Sequence, residues 1–231
     1  MNTVLSDQRR LNYTFYVKND EFYVNLGTSI KINSSLYHYA GNNPVRYMDP
    51  DGREVLCFVF RNVISYDVTQ DRKNPTNTFL DKSLLVNTDT KQYAFFEKVQ
   101  SVANYPLTDS TGNSVESCYE DTVASGNFYL KLYTSTNVAS GDAAVIINAI
   151  TIDGRKIDAN GYTENGKSPG RGLVHSNGRP DGSSDYNLPY SKQCFIMPSE
   201  DSDRFFQTLK DWDVKDGDII SGKLFNVLIL E

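Results

Sequence analysis

The sequence predicts a mainly β fold, a β-rich α+β protein with one short helix, and three observations carry that expectation. Tyr and Phe are abundant, 15 and 12 of 231 residues, and aromatic residues favour the pleated, half-buried surface of a sheet. Apolar and polar residues alternate over short stretches, as in Asn127–Thr134, the period of a strand with one buried face. Asn, Asp, Gly and Pro cluster between those stretches and mark turns. The chain is long enough to bury a core without disulfide staples, in one or two domains. A net charge of −6 argues against a nucleic-acid partner, which calls for a basic surface.

Taken in order, the first 53 residues read as short strands around Tyr13–Val17 and Phe22–Leu26. Turns at Asn43-Pro44 and Asp49-Pro50-Asp51-Gly52 follow. Val55–Ser65 is a long strand or hairpin arm. Over 90–104, Tyr93, Phe96, Val99 and Ala103 recur at helical spacing, and Tyr105-Pro106 ends the run. Asn127–Thr134 is a strand, Ala143–Ile152 a β-branched run, and Asp153-Gly154 a turn. Residues 154–190 are rich in Gly, Pro, Asn, Ser and Asp and read mostly as loop, of a length that usually serves a function. Ser199–Lys210 is a helix with acidic residues in its first turn and Phe205, Phe206 and Leu209 on one face. A turn at Asp216-Gly217-Asp218 leads to Ile219-Ile220 and a closing strand, Leu224–Leu230. The region 120–231 is accordingly expected to be a β-sandwich, with residues 1–53 a small β appendage.

Candidate chemistry concentrates on two residues. The chain has two histidines and three cysteines. One of each lies in the Gly-rich stretch, in Gly172-Leu173-Val174-His175-Ser176-Asn177-Gly178 and Ser191-Lys192-Gln193-Cys194-Phe195. A free thiol has a pKa of about 8.5 and is a poor nucleophile until deprotonated. A nearby imidazole takes that proton. Cys194 is thus the candidate nucleophile and His175 its base. Ser191 is assigned to orienting the His or the loop. The backbone N–H groups of Gln193 and Cys194 are candidates for stabilising an oxyanion. Lys192 is placed beside the thiolate, and Lys192, Ser176 and Asn177 are candidate substrate contacts. Cys57, in Val55–Phe60, reads as a core thiol, and an odd cysteine count leaves at least one thiol unpaired within the chain. No cofactor and no metal are expected, because one His in this region and no paired-Cys motif fall short of a zinc site. Gly166-Lys167-Ser168 lacks the upstream Gly of a phosphate loop.

Two family resemblances extend this reading. Tyr37-His38-Tyr39-Ala40-Gly41-Asn42-Asn43-Pro44-Val45-Arg46-Tyr47 followed by Asp49-Pro50-Asp51-Gly52 resembles the C-terminal end of the Rhs/YD-repeat core. In that family the motif closes a β-shell and a variable effector follows. The resemblance implies a remnant at 1–53, with His38 a structural residue in it, and an effector domain at 54–231. It further implies an immunity protein as partner. The order from Gly126-Asn127-Phe128-Tyr129 through the His175 and Cys194 motifs to Asp216-Gly217-Asp218-Ile219-Ile220 resembles the L,D-transpeptidase catalytic domain. That resemblance implies a sandwich with a short helix after the nucleophile, and a Cys/His acyltransferase or peptidase acting on peptidoglycan stem peptides. This sequence departs from the pattern: Lys192 and Gln193 stand where the family has a second His and a Gly, and Ile196 where it has an Arg.

Function is therefore expected to be that of a wall-directed effector. The alternatives are a non-catalytic wall-binding or structural module with a lapsed site, and a cysteine amidase acting on protein targets. The N-terminal residues lack the apolar stretch of a signal peptide, and no apolar run reaches membrane-spanning length. Secreted or periplasmic delivery is expected to use another route.

Overall fold

A computed structural model describes residues 3–5, 14–18, 21–25, 34–35, 55–62, 79–134, 142–166, 171–177 and 191–227. The turn segment 36–52 with His38, the Gly166-Lys167-Ser168 loop beyond Gly166, and residues 178–190 lie outside them. Two compact units divide the chain, residues 1–52 with the last two residues, and 53–229. In the first, β1 (Thr3–Leu5), β2 (Thr14–Lys18), β3 (Glu21–Asn25) and β4 (Ser34–Ser35) form an antiparallel sheet in sequence order.

The second unit is mainly β. Its strands are β5 (Val55–Asn62), β6 (Asp81–Asn87), β7 (Gln92–Val99), β8 (Pro106–Thr108), β9 (Ser114–Ser117), β10 (Gly126–Thr134), β11 (Asp142–Ile147), β12 (Leu173–Ser176), β13 (Phe195–Met197) and β14 (Ile219–Val227). The helix α1 (Ser199–Asp211) is the α-helix of the described residues. Eight strands make one mixed sheet in the order β13-β12-β11-β10-β14-β5-β6-β7, and β8 and β9 pair separately. The two ends of the sheet meet. Gln100, one residue past β7, and Ile196 of β13 exchange both backbone hydrogen bonds, at 2.8 and 2.9 Å. The sheet therefore curls into a barrel, and the two layers of the expected sandwich are opposite walls of one continuous sheet.

The interior is built by alternation. Phe128, Leu130 and Leu132 of β10 face inward, with Ala144 and Ile146 of β11 and Val174 of β12. Phe195 and Met197 of β13 join them. The inward face of α1 adds Phe205, Phe206 and Leu209. Phe128 meets Phe195 edge-on with ring centres 5.4 Å apart, and Phe205 lies 5.2 Å from Phe96. Each such buried side chain contributes roughly 1.5–3 kcal/mol of burial free energy. Gly222 makes room for Phe128, since a Cβ there would sit 2.2 Å from the ring. The helix starts after Pro198 with Glu200 and Asp201 in its first turn and Lys210 in its last, which suits the macrodipole.

Three expected readings are corrected. The helical spacing over 90–104 belongs to a strand, β7. Ser83 pairs with Phe96 and Asp81 with Val99, so two steps along β6 match three along β7. This bulge lets Phe96 and Val99, three residues apart, both face the core. It mimics the helical i, i+3 signature. The His175 segment, read as loop, is strand β12. The separate Ile219-Ile220 and Leu224–Leu230 segments are one strand over 219–227.

Candidate active site

His175 and Cys194 are placed by the two strands at one end of the sheet. β12 and β13 run parallel, with Val174 beside Phe195 and His175 beside Ile196. Val174 and Phe195 point into the barrel, so His175 projects from the outer face, where the residue just before β13, Cys194, meets it. Cys194 is 7% exposed and His175 partly buried.

The two side chains lie close enough to shift each other's proton affinity, and the shifts run in opposite directions. Burial pushes the Cys194 thiol up, but the His175 charge and hydrogen bond, with the Leu173 and Gln193 backbone N–H groups, bring it below the ordinary thiol value. Burial pushes His175 down, but the Cys194 charge and hydrogen bond and the Ser176 carbonyl raise it above the ordinary imidazole value. Both shifts favour a thiolate–imidazolium pair. The Nδ1 of His175 lies 2.6 Å from the Ser176 carbonyl oxygen. Donation there fixes the ring and leaves Nε2 for the sulfur. Cys194 Sγ is 3.6 Å from the carbonyl oxygen of Arg171.

The remaining candidates divide. Ser191 is fully buried and its hydroxyl donates to the Cys194 carbonyl at 2.7 Å, so it shapes the nucleophile's turn. Asn104 holds the same turn: its Oδ1 accepts the Ser191 N–H at 2.7 Å, and its N–H donates to the Ser191 carbonyl at 2.8 Å. The Gln193 side chain points away from the sulfur. Its amide donates to the Asp121 carbonyl at 3.1 Å and to the Thr163 hydroxyl. Asp121 is itself held by Arg155 at 2.7 Å. The backbone N–H of Gln193 faces the Cys194 sulfur. The Lys192 ammonium lies over the Tyr105 ring, 4.7 Å from its centre, and the positive charge that steadies the thiolate is that of His175. Ser176 and Asn177 are buried, and the Asn177 N–H donates to the Met197 carbonyl at 2.6 Å. Both brace β12 against β13.

Asn104, Asp121 and Thr163 were not legible as site residues, since each reaches the nucleophile's turn from a distant part of the chain, and Arg155 acts only through Asp121. Arg171 was legible in principle. It is the charged residue of the run Gly170-Arg171-Gly172 that enters the His strand.

The other two thiols are structural. Cys57 lies in the core and burial pushes its thiol to about 12. Cys118 donates to the Ser191 and Lys192 carbonyls at 3.3 and 3.2 Å, and burial pushes it to about 12 as well. A maleimide at neutral pH is expected to label Cys194 alone in the native protein. Intact-mass counting checks this, and labelling of Cys57 or Cys118 first would contradict the assignment.

Among the described residues no group of three or more His, Cys, Asp or Glu is arranged to hold a metal ion, and no helix is long and apolar enough to cross a membrane. No family model matches the sequence, and no solved structure matches it significantly. A protein of Treponema pallidum (strain Nichols), described as uncharacterised, is 30% identical over 129 residues. The match spans 54% of this chain and 57% of that protein's length.

Proposed function

We propose that this chain is a cysteine-dependent acyltransferase or peptidase, L,D-transpeptidase-like, that acts on peptidoglycan stem peptides as the effector of an Rhs-type polymorphic toxin. The observation that carries the chemistry is the pairing of β12 with β13, which brings Cys194 beside His175, with the thiol lowered and the imidazole raised. The order of motifs from Gly126 to Ile220 supports the wall substrate, and the 36–52 motif supports the effector role. Delivery to the periplasm or outside the cell follows from that substrate.

The Cys194 thiolate attacks the scissile carbonyl carbon. The C=O electron pair moves onto oxygen, and the backbone N–H groups of Gln193 and Cys194 are the candidate donors to it. The intermediate collapses as the imidazolium of His175 gives its proton to the leaving amine, leaving a thioester. Water or an acceptor amine then attacks the thioester. His175 takes the proton, and the thiolate departs. Water gives carboxypeptidase or endopeptidase products, and an amine gives a cross-link.

Incubation with purified peptidoglycan or its stem peptides is expected to yield a mass increment on Cys194 and new muropeptides. If Cys194 reacts with a maleimide yet forms no adduct and releases no product from wall peptides, the substrate assignment fails and an amidase on protein targets takes its place. If the thiol is inert as well, the wall-binding module with a lapsed site is the better reading.

A further inference from the structure

We infer that Cys118 is a positioning residue of the acyl-transfer site: its thiol donates to the Lys192 carbonyl and so holds the 192–193 peptide with the Gln193 N–H turned to Cys194, where the oxyanion forms. The inference rests on the acyl-transfer reading of Cys194 and names a residue which that reading does not use.

Cys118 is fully buried and precedes the single helical turn Tyr119–Asp121. Its sulfur lies 3.3 Å from the Ser191 carbonyl oxygen and 3.2 Å from that of Lys192. The two carbonyls differ in what else reaches them. That of Ser191 already accepts the Asn104 and Tyr105 N–H groups, at 2.8 and 2.7 Å. For that of Lys192 the thiol is the one donor among the described residues. Burial, with smaller additions from the Asp121 and Cys194 charges, pushes the Cys118 thiol to about 12. It therefore keeps its proton wherever Cys194 is the ionised thiol, and it remains a donor.

One peptide plane lies between the two sulfurs. It is trans, so its C=O and N–H point in opposite directions. With the C=O directed at Cys118, the Gln193 N–H faces away from Cys118, and there it meets the Cys194 sulfur. Attack moves the negative charge from that sulfur to the oxygen of the carbonyl it has joined. The N–H that steadies the thiolate is thus already aimed at the place where the oxyanion develops. The Gln193 side chain holds the same residue from its other end. Its amide donates to the Asp121 carbonyl at 3.1 Å, at the close of the turn that Cys118 begins. Without the thiol, the Lys192 carbonyl is left without its donor. The plane is then free to rotate, and the N–H turns away from the sulfur with it.

The test compares acylation of Cys194 with its alkylation. With p-nitrophenyl acetate the thiolate attacks the ester carbonyl, an oxyanion forms, and p-nitrophenolate leaves. With iodoacetamide it displaces iodide and no oxyanion forms. Both rates are corrected by those of Cys194→Ala protein. Cys118→Ala is expected to lower the acylation-to-alkylation ratio about tenfold, short of the roughly 100–1,000-fold cost of deleting an oxyanion donor outright. It is also expected to raise the pH midpoint of alkylation, because the thiolate loses an N–H bond. Cys118→Ser, which keeps a donor, is expected to stay near the wild type in both. Cys118→Val, which fills the space without a donor, takes the place of Cys118→Ala if the smaller side chain unfolds the chain. The ratio is internal to each variant, so a general loss of thiol reactivity cancels. A wild-type ratio in the donorless variant, or an equal fall in Cys118→Ser, overturns the positioning role. Wild-type acylation no faster than that of Cys194→Ala overturns the acyl-transfer reading instead. The alkylation midpoint then judges Cys118, and an unmoved midpoint in the donorless variant overturns its hold on the peptide.

Discussion

Cys194→Ala and His175→Ala are each expected to bring wall-peptide turnover down to background, while Cys57→Ala retains it. The first removes the nucleophile outright. The second removes the proton acceptor and donor, worth about 10²–10⁴-fold alone, and also the charge that keeps the thiol ionised. That second loss has a direct readout. In the wild type, burial raises the thiol, and His175 together with the Leu173 and Gln193 backbone N–H groups more than offsets it. With His175 gone the larger part of the offset disappears, so the pH midpoint of Cys194 alkylation is expected to move above the ordinary thiol value of about 8.5. The wild-type midpoint should lie below that value. Turnover should be bell-shaped: it rises as Cys194 ionises and falls as His175 loses its proton, at a pH above the ordinary imidazole value of about 6.5. A His175→Ala protein whose alkylation midpoint equals the wild type's would refute the pair, whatever its turnover.

The sequence carried the dyad because its two residues are rare and sit in motifs of a recognisable order. The strands of β10, β11 and β14 were legible for a different reason: each alternates or is β-branched and is bounded by turn formers. Their pairing was not legible, since β10 lies between β11 and β14, and β14 reaches back in parallel to β5. Closure of the sheet depends on Gln100 and Ile196, neither of which carries a local signal. Tertiary context also overrode local spacing at β7, where a bulge reproduced a helical pattern. Among polar residues, proximity in sequence was a poor guide to contact with the thiol. Lys192 and Gln193 adjoin Cys194 in the chain, yet their side chains turn to Tyr105, and to Asp121 and Thr163. The groups that hold the nucleophile's turn come from positions 104, 121 and 163.

The closure of the barrel makes the site depend on a residue far from it in sequence, Arg61. This side chain is fully buried. Its Nε donates to the Ser101 hydroxyl at 2.8 Å, Nη1 to the Val123 carbonyl at 2.7 Å, and Nη2 to the Ser101 carbonyl at 2.7 Å. Asp81, 1% exposed, accepts from the Ser101 N–H at 2.8 Å and its hydroxyl at 2.6 Å, and from the Asn62 N–H at 2.9 Å. Ser101 thus joins a buried cation to a buried carboxylate. Removing Arg61 leaves the buried Asp81 charge without the cation across Ser101 and the Val123 and Ser101 carbonyls without their donors, a loss of about 3–5 kcal/mol. Arg61→Ala is expected to lower the unfolding free energy read from urea titration by that amount. The damage should also reach the chemistry. Ser101 follows Gln100, which closes the sheet on Ile196, and Ile196 pairs with His175. Loosening Ser101 frees the seam and lets β13 drift from β12, so the Cys194 alkylation midpoint in folded Arg61→Ala should rise toward that of His175→Ala. A destabilisation below about 1 kcal/mol would mean that the network contributes no more than a surface ion pair. A large destabilisation with an unmoved thiol midpoint would show that the β12–β13 pair holds the dyad without help from the seam.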